Sequence, residues 1–77
     1  GILDGDVVVV KKQEVAESGD IVVAVLNGEA TVKRYHPRNG KVVLQPANDA
    51  YEPIEVDRDS GEFRIAGKVV GLMRRFG

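Results

Sequence analysis

Cysteine and tryptophan are absent from the 77 residues, and histidine occurs once. Without thiols there is no disulfide and no thiolate metal site, so stability has to come from packing, which suits a reducing compartment without requiring one. The single histidine, His36, abuts Pro37 and has no second type of metal ligand clustered with it. A solvated role therefore outranks catalysis or metal binding, and neither a metal nor a cofactor is expected. Aromatics are scarce too: two tyrosines and two phenylalanines offer no platform on which bases could stack. Eleven Lys and Arg against twelve Asp and Glu give a net charge of -1, so no positive field invites DNA or an anionic membrane surface. The longest apolar runs, Val7 to Val10 and Ile21 to Leu26, fall far short of the ~20 residues that span a bilayer, and no basic-then-apolar N-terminus reads as a signal peptide. The chain reads as one small soluble domain. Its core has to offset a chain entropy of roughly 1.5 kcal/mol per residue, which leaves a thin margin.

What is present is β-branched residues punctuated by turn signals. Gly1-Ile-Leu-Asp-Gly-Asp6 reads as a turn leading into Val7 to Val10, whose continuous valines predict a strand covered on both faces before Lys11 and Lys12 return it to the surface. Glu17-Ser18-Gly19-Asp20 is a turn cluster, and Ile21 to Leu26 is a second apolar strand ending at Asn27-Gly28. That dipeptide predicts a hairpin whose second arm is Glu29 to His36. His36-Pro37-Arg38-Asn39-Gly40 reads as the next tight connection, followed by a strand over Lys41 to Leu44. Pro46 to Pro53 reads as an ordered surface loop anchored by Tyr51, Ile54 to Val56 as a short strand, and Asp57 to Gly61 as a polar hairpin loop. From Phe63 to Phe76 an apolar strand is interrupted by Gly67 and Gly71, which predicts a bend or bulge at each. No segment has sustained helical periodicity, and the expected class is all-β, a meander of about six strands forming a partly open, barrel-like domain.

Residues with evident chemistry are few. Ser18 and Ser60 are the only serines, both in glycine turns where hydroxyls bond to local backbone. Asp4, Asp6, Asp57 and Asp59 form D-x-D pairs that turn chemistry explains, and Arg74-Arg75 near a strand end reads as a device that keeps an edge soluble. Lys33, in the middle of its strand, has two readings. It is a solvated ammonium, or it is desolvated until its free amine serves as a general base. Alternation places Lys33 with Glu29, Thr31 and Tyr35 on one face, opposite Ala30, Val32 and Arg34, which fits a half-covered cleft and plain solvent equally well.

Four separated stretches carry a resemblance. Gly1-Ile-Leu-Asp-Gly-Asp6, Asn27-Gly-Glu-Ala-Thr-Val-Lys-Arg34, Leu44-Gln-Pro-Ala-Asn48 with Tyr51 and Pro53, and Gly67-Lys-Val-Val-Gly71 occur in the order found in the C-terminal domain of LexA repressors. The chain resembles the distal part of that self-cleaving, dimerising domain over residues 1–77. UmuD-like mutagenesis proteins and phage repressors of the same superfamily are near alternatives. The resemblance implies that Lys33 is the general base of a Ser/Lys peptidase that cleaves its own chain when RecA filaments form, derepressing the SOS genes in the cytoplasm. It also implies a homodimer joined through the last strand, with Val70, Gly71, Leu72, Met73 and Arg74 at the contact.

The 77 residues contain neither the family's Gly-Asp-Ser-Met type nucleophile segment, nor its scissile loop, nor its winged helix-turn-helix domain. By resemblance, DNA is bound only through that absent domain. The chain alone is expected to be inactive, since a base without a nucleophile and an oxyanion site performs no acyl transfer. Two readings from other classes stand beside this one: a noncatalytic small β-barrel interaction module in which Lys33 is a surface charge, and a nucleic-acid-binding barrel. The charge balance and the few aromatics disfavour the latter.

Overall fold

A computed structural model describes residues 7–46 and 52–73. Expectations for the Gly1 to Asp6 turn, the Tyr51 anchor and Arg74 to Phe76 lie outside these residues. The described chain is all strand: β1 (Val7–Lys12), β2 (Ile21–Leu26), β3 (Glu29–Arg38), β4 (Lys41–Gln45), β5 (Ile54–Asp57) and β6 (Phe63–Met73). They form one antiparallel sheet in the order β1-β6-β2-β3-β4-β5. The meander runs from β2 to β5, and β6 returns to lie between β1 and β2.

Both Asn-Gly turns do what their sequence demands. Asn27 and Gly28 have φ of 52° and 80°, and Asn39 and Gly40 have 47° and 77°. Positive φ at both central residues matches the turn twist to that of the flanking strands. The second connection is tighter than expected, because β3 continues through His36 and Pro37 to Arg38, leaving Asn39-Gly40 as the whole turn. Proline is tolerated there for a simple reason. β2 begins at Ile21, opposite Arg34, so Pro37 lies past its end, where no described strand needs the missing N–H.

Val22, Ala24, Tyr35, Val42, Leu44 and Ile65 are buried, with Ala16, Val56 and Phe63 packed against them. All but Ala16 lie in strands, and cross-strand pairs such as Ala24 with Ile65, Tyr35 with Leu44, and Val42 with Val56 place them on one face. In a flat sheet β4 and β6 would stand about 14 Å apart, three strand spacings. Their sharing of one core requires the sheet to curl into an open half-barrel. Asp57 to Gly61 is therefore not a hairpin loop, since β5 and β6 do not pair. It carries the chain from one edge of the curled sheet to β6, held by the Arg58 amide donating to the Gly40 carbonyl at 3.0 Å and that of Ser60 to the Asp57 carbonyl at 3.1 Å.

The two glycines of β6 sit where register breaks. The β2–β6 pairing passes from Ile65 to Gly67, leaving Ala66 as the extra residue, and the β1–β6 pairing passes from Val69 to Gly71, leaving Val70. A Cβ at Gly67 would lie 2.9 Å from the Lys11 carbonyl oxygen and would collide with a Val10 methyl, so glycine is required for β1 to approach so closely. β1 itself departs from expectation. Val7, Val9 and Val10 are between 42% and 49% exposed rather than covered on both faces. The cause is topological: β1 lies at an edge of the sheet, and its valines pair with Val69 to Met73, the end of β6 that runs beyond β2.

Candidate functional site

Lys33 belongs to the core-bearing face. It stands opposite Val22, which is fully buried, and two residues from Tyr35, which is 6% exposed. The alternation that left cleft and solvent equally open is thus resolved toward a half-buried amine rooted on an apolar floor. Thr31, one row further along the same face, stands opposite Ala24.

Val22 has a second cross-strand partner, Lys68 of β6. The row Lys33, Val22, Lys68 therefore crosses three strands with two lysines rising from the same face. Lys68 Nζ lies 3.4 Å from an Asp20 carboxylate oxygen. Asp20 is itself fixed from several sides. Its other carboxylate oxygen accepts the Glu17 amide at 2.9 Å, its own amide donates to the Glu17 carbonyl at 3.1 Å, and its carbonyl accepts the Tyr35 amide at 2.8 Å. The Gly19 amide donates to the Tyr35 carbonyl at 2.8 Å, and Arg34 Nη1 donates to the Gly19 carbonyl at the same distance. This turn thereby locks the start of β2 to the middle of β3. The Glu17 amide holds the Asp20 carboxyl below the usual carboxylate range, with help from the bond to and charge of Lys68 and against the opposing effect of burial.

Among the described residues, Lys33 has no carboxylate within ion-pair distance. Lys41 pairs with Glu55 at 3.7 Å and with Asp57 at 3.4 Å, all well exposed, at the end of β4 opposite Arg38 and so several residues along β3 from Lys33. Neither serine joins Lys33. Ser60 Oγ accepts the Glu62 amide at 3.2 Å, as its turn position predicts, beside Phe63, which pairs with Leu26. Leu26 is four residues along β2 from Val22, about 13 Å. Ser18 is exposed in the Glu17–Asp20 turn. His36 lies in β3 opposite Val43, on the other face from Tyr35, and among the described residues no three His, Asp or Glu side chains converge as metal ligands would. One open concavity of about 320 Å³ is floored by Tyr35, Val42, Phe63 and Ile65, and Lys33 does not line it.

Val70, Gly71, Leu72 and Met73 lie in the part of β6 that outruns β2. Gly71, Leu72 and Met73 pair with β1 on one side, Val70 is the bulged residue between Val69 and Gly71, and among the described residues no strand pairs with the other side. Val70, Leu72 and Met73 are 55%, 42% and 61% exposed. Arg74 lies outside the described residues. Sequence reasoning missed Asp20 and Lys68. A usable signal was there, since Lys68 is the one charge in the run Ile65 to Met73, but its relation to Lys33 depends on β6 pairing with β2.

The arrangement places an amine, without a counter-ion among the described residues, over an apolar floor at the open face of a half-barrel. Residues 1–70 match the family described as Peptidase S24-like. The chain is 58% identical over 78 residues to the LexA repressor of Carboxydothermus hydrogenoformans, covering 99% of this chain and 37% of that protein. It is 55% identical over 76 residues to the LexA repressor of Syntrophotalea carbinolica, with the same coverage, and 55% identical over 74 residues to that of Streptomyces coelicolor, covering 96% and 30%. The chain thus spans about a third of the length of the curated relatives it matches. With 70 of its 77 residues matched, the chain belongs to the Peptidase S24-like family and corresponds to the C-terminal part of LexA repressors.

Proposed function

We propose that this chain is the base-bearing part of a LexA-type repressor's self-cleaving and dimerising domain, with Lys33 as the general base. One observation carries the reading: within a family-matched strand, the lysine rises from the core face beside buried Val22 and Tyr35, with no described carboxylate to hold it as an ammonium. The chemistry is acyl transfer. The neutral Nζ of Lys33 takes the proton of a serine hydroxyl supplied by the upstream segment, and the serine oxygen attacks the carbonyl carbon of a peptide bond in the same protein. As the tetrahedral intermediate collapses, the C–N bond breaks and the lysine returns the proton to the leaving amine. Water then hydrolyses the acyl-serine.

In the same reading the repressor is a cytoplasmic homodimer, joined through Val70 to Arg74. DNA is bound by a separate N-terminal domain, and a RecA filament formed after DNA damage promotes the cleavage that derepresses the SOS genes. The test is mass spectrometry of the repressor that carries this chain and its upstream serine segment, incubated at alkaline pH. Two fragments should form, and Lys33→Ala should abolish them while leaving the fold intact by circular dichroism. Cleavage of Lys33→Ala at the unmutated rate would overturn the assignment.

A further inference from the structure

Asp20 stands in the same diagonal relation to two lysines. It precedes Val22 by two residues, and Val22 is opposite Lys33 on β3 and Lys68 on β6. Each lysine is therefore one diagonal step from the carboxylate on the same face, about 7–8 Å between backbones and within reach of a long side chain. The structure gives the carboxylate to Lys68, at 3.4 Å. Its side chain is only 18% exposed and is tied to the Glu17 amide, so it is a fixed acceptor.

We propose that Lys68 is a positioning residue for the Lys33 base: by holding the Asp20 carboxylate, it keeps that carboxylate from pairing with Lys33, which is thus able to give up its proton. This rests on the reading of Lys33 as general base. The charge logic is direct, since a carboxylate brought within ~4–6 Å of an amine favours its protonated form, and a neighbouring cation disfavours it. The other ionisable groups on this face bear less on Lys33. Lys11 of β1 pairs with Lys68 one strand further away, Glu29 is four residues along β3, and Tyr35 is a buried phenol. On the β4 side, Leu44 and Gln45 face Tyr35 and Arg34 and carry no charge.

The test is the pH dependence of self-cleavage in the whole repressor. Lys68→Met frees Asp20 for Lys33, and the rising limb of the rate profile should move about one pH unit upward with its alkaline plateau preserved. Lys68→Arg keeps the pair and should keep the profile. Asp20→Asn should move the limb downward, because Lys68 then acts on Lys33 as an unpaired cation, and adding Asp20→Asn to Lys68→Met should reverse the upward shift. Superposition of the Lys68→Met and unmutated profiles, or an equal loss of rate at every pH, would overturn the proposal, the second marking a purely structural residue. Should Lys68→Met fail to fold, an upward shift in Asp20→Asn would overturn it, and a downward shift would support it. Retained cleavage in Lys33→Ala is the separate result that removes the general-base reading itself, and this proposal with it.

Discussion

Lys33 and Lys68 stand opposite the same residue, Val22, from the two strands that flank β2, so both side chains rise from one face of the sheet with the floor of the core between them. Whatever stabilises β2 therefore fixes the spacing of the two amines.

The floor should respond to truncation as a packed core does. Leu44 is fully buried, whereas Ile54, its partner on β5, is 37% exposed. Leu44→Ala is expected to cost about 2–5 kcal/mol and Ile54→Ala less than about 1 kcal/mol, because only the first leaves an enclosed cavity. Urea denaturation of both variants in the intact protein checks the difference. Equal losses would mean that the sheet does not curl over Leu44.

Of the two β6 glycines, only one should be indispensable. An added Cβ at Gly67 meets the Lys11 carbonyl oxygen at 2.9 Å, while at Gly71 the nearest atom is Val9 Cβ at an ordinary 3.5 Å. Gly67→Ala should cost about 1–3 kcal/mol, as overpacking does, and Gly71→Ala should change little. Thermal unfolding reads both. A tolerated Gly67→Ala would show that β1 can retreat from β6 without penalty.

Asp20 links stability to pH with a definite sign. Its folded-state pKa is below the ordinary value of 3.8, chiefly through the Glu17 amide, so it binds protons more weakly folded than unfolded. Its contribution is complete above the ordinary value and disappears as pH falls through the depressed one. Asp20→Asn should therefore lower the melting temperature near neutral pH, and the gap from the unmutated protein should close in acid. A gap that widens in acid would contradict the assignment.

Much of this architecture was legible in the sequence for local reasons. Asn27-Gly28 and Asn39-Gly40 specify their turns through positive φ, and Gly67 and Gly71 mark the register breaks of β6. What escaped is non-local. The valines of β1 read as a doubly covered strand because continuous β-branched runs occur in buried strands, yet pairing order put β1 at an edge. Asp57 to Gly61 has hairpin chemistry, but Phe63 and Ile65 pair with Leu26 and Ala24 of β2 and meet the core there rather than beside β5. Lys33 was visible through its motif, whereas Lys68 and Asp20 became neighbours of it only once β6 was placed next to β2.

The apolar ribbon of β1 and the end of β6 should be an association surface. Val70, Leu72 and Met73 are exposed on a segment with an unpaired edge among the described residues, a combination that favours pairing with another strand. Leu72→Lys should weaken self-association of the repressor by at least tenfold in sedimentation equilibrium, through lost apolar burial and like-charge repulsion across a two-fold axis. An unchanged dissociation constant would place the interface elsewhere.

The central claim is that Lys33 acts by accepting a proton rather than by its positive charge, and the self-cleavage rate of the Lys33→Arg repressor at alkaline pH tests it most directly. Arginine keeps the charge and much of the length but cannot be deprotonated in a protein. The account predicts no cleavage above that of Lys33→Ala at any pH at which the protein stays folded. Cleavage by Lys33→Arg approaching the unmutated rate would contradict it, because a fixed cation at this position would then suffice.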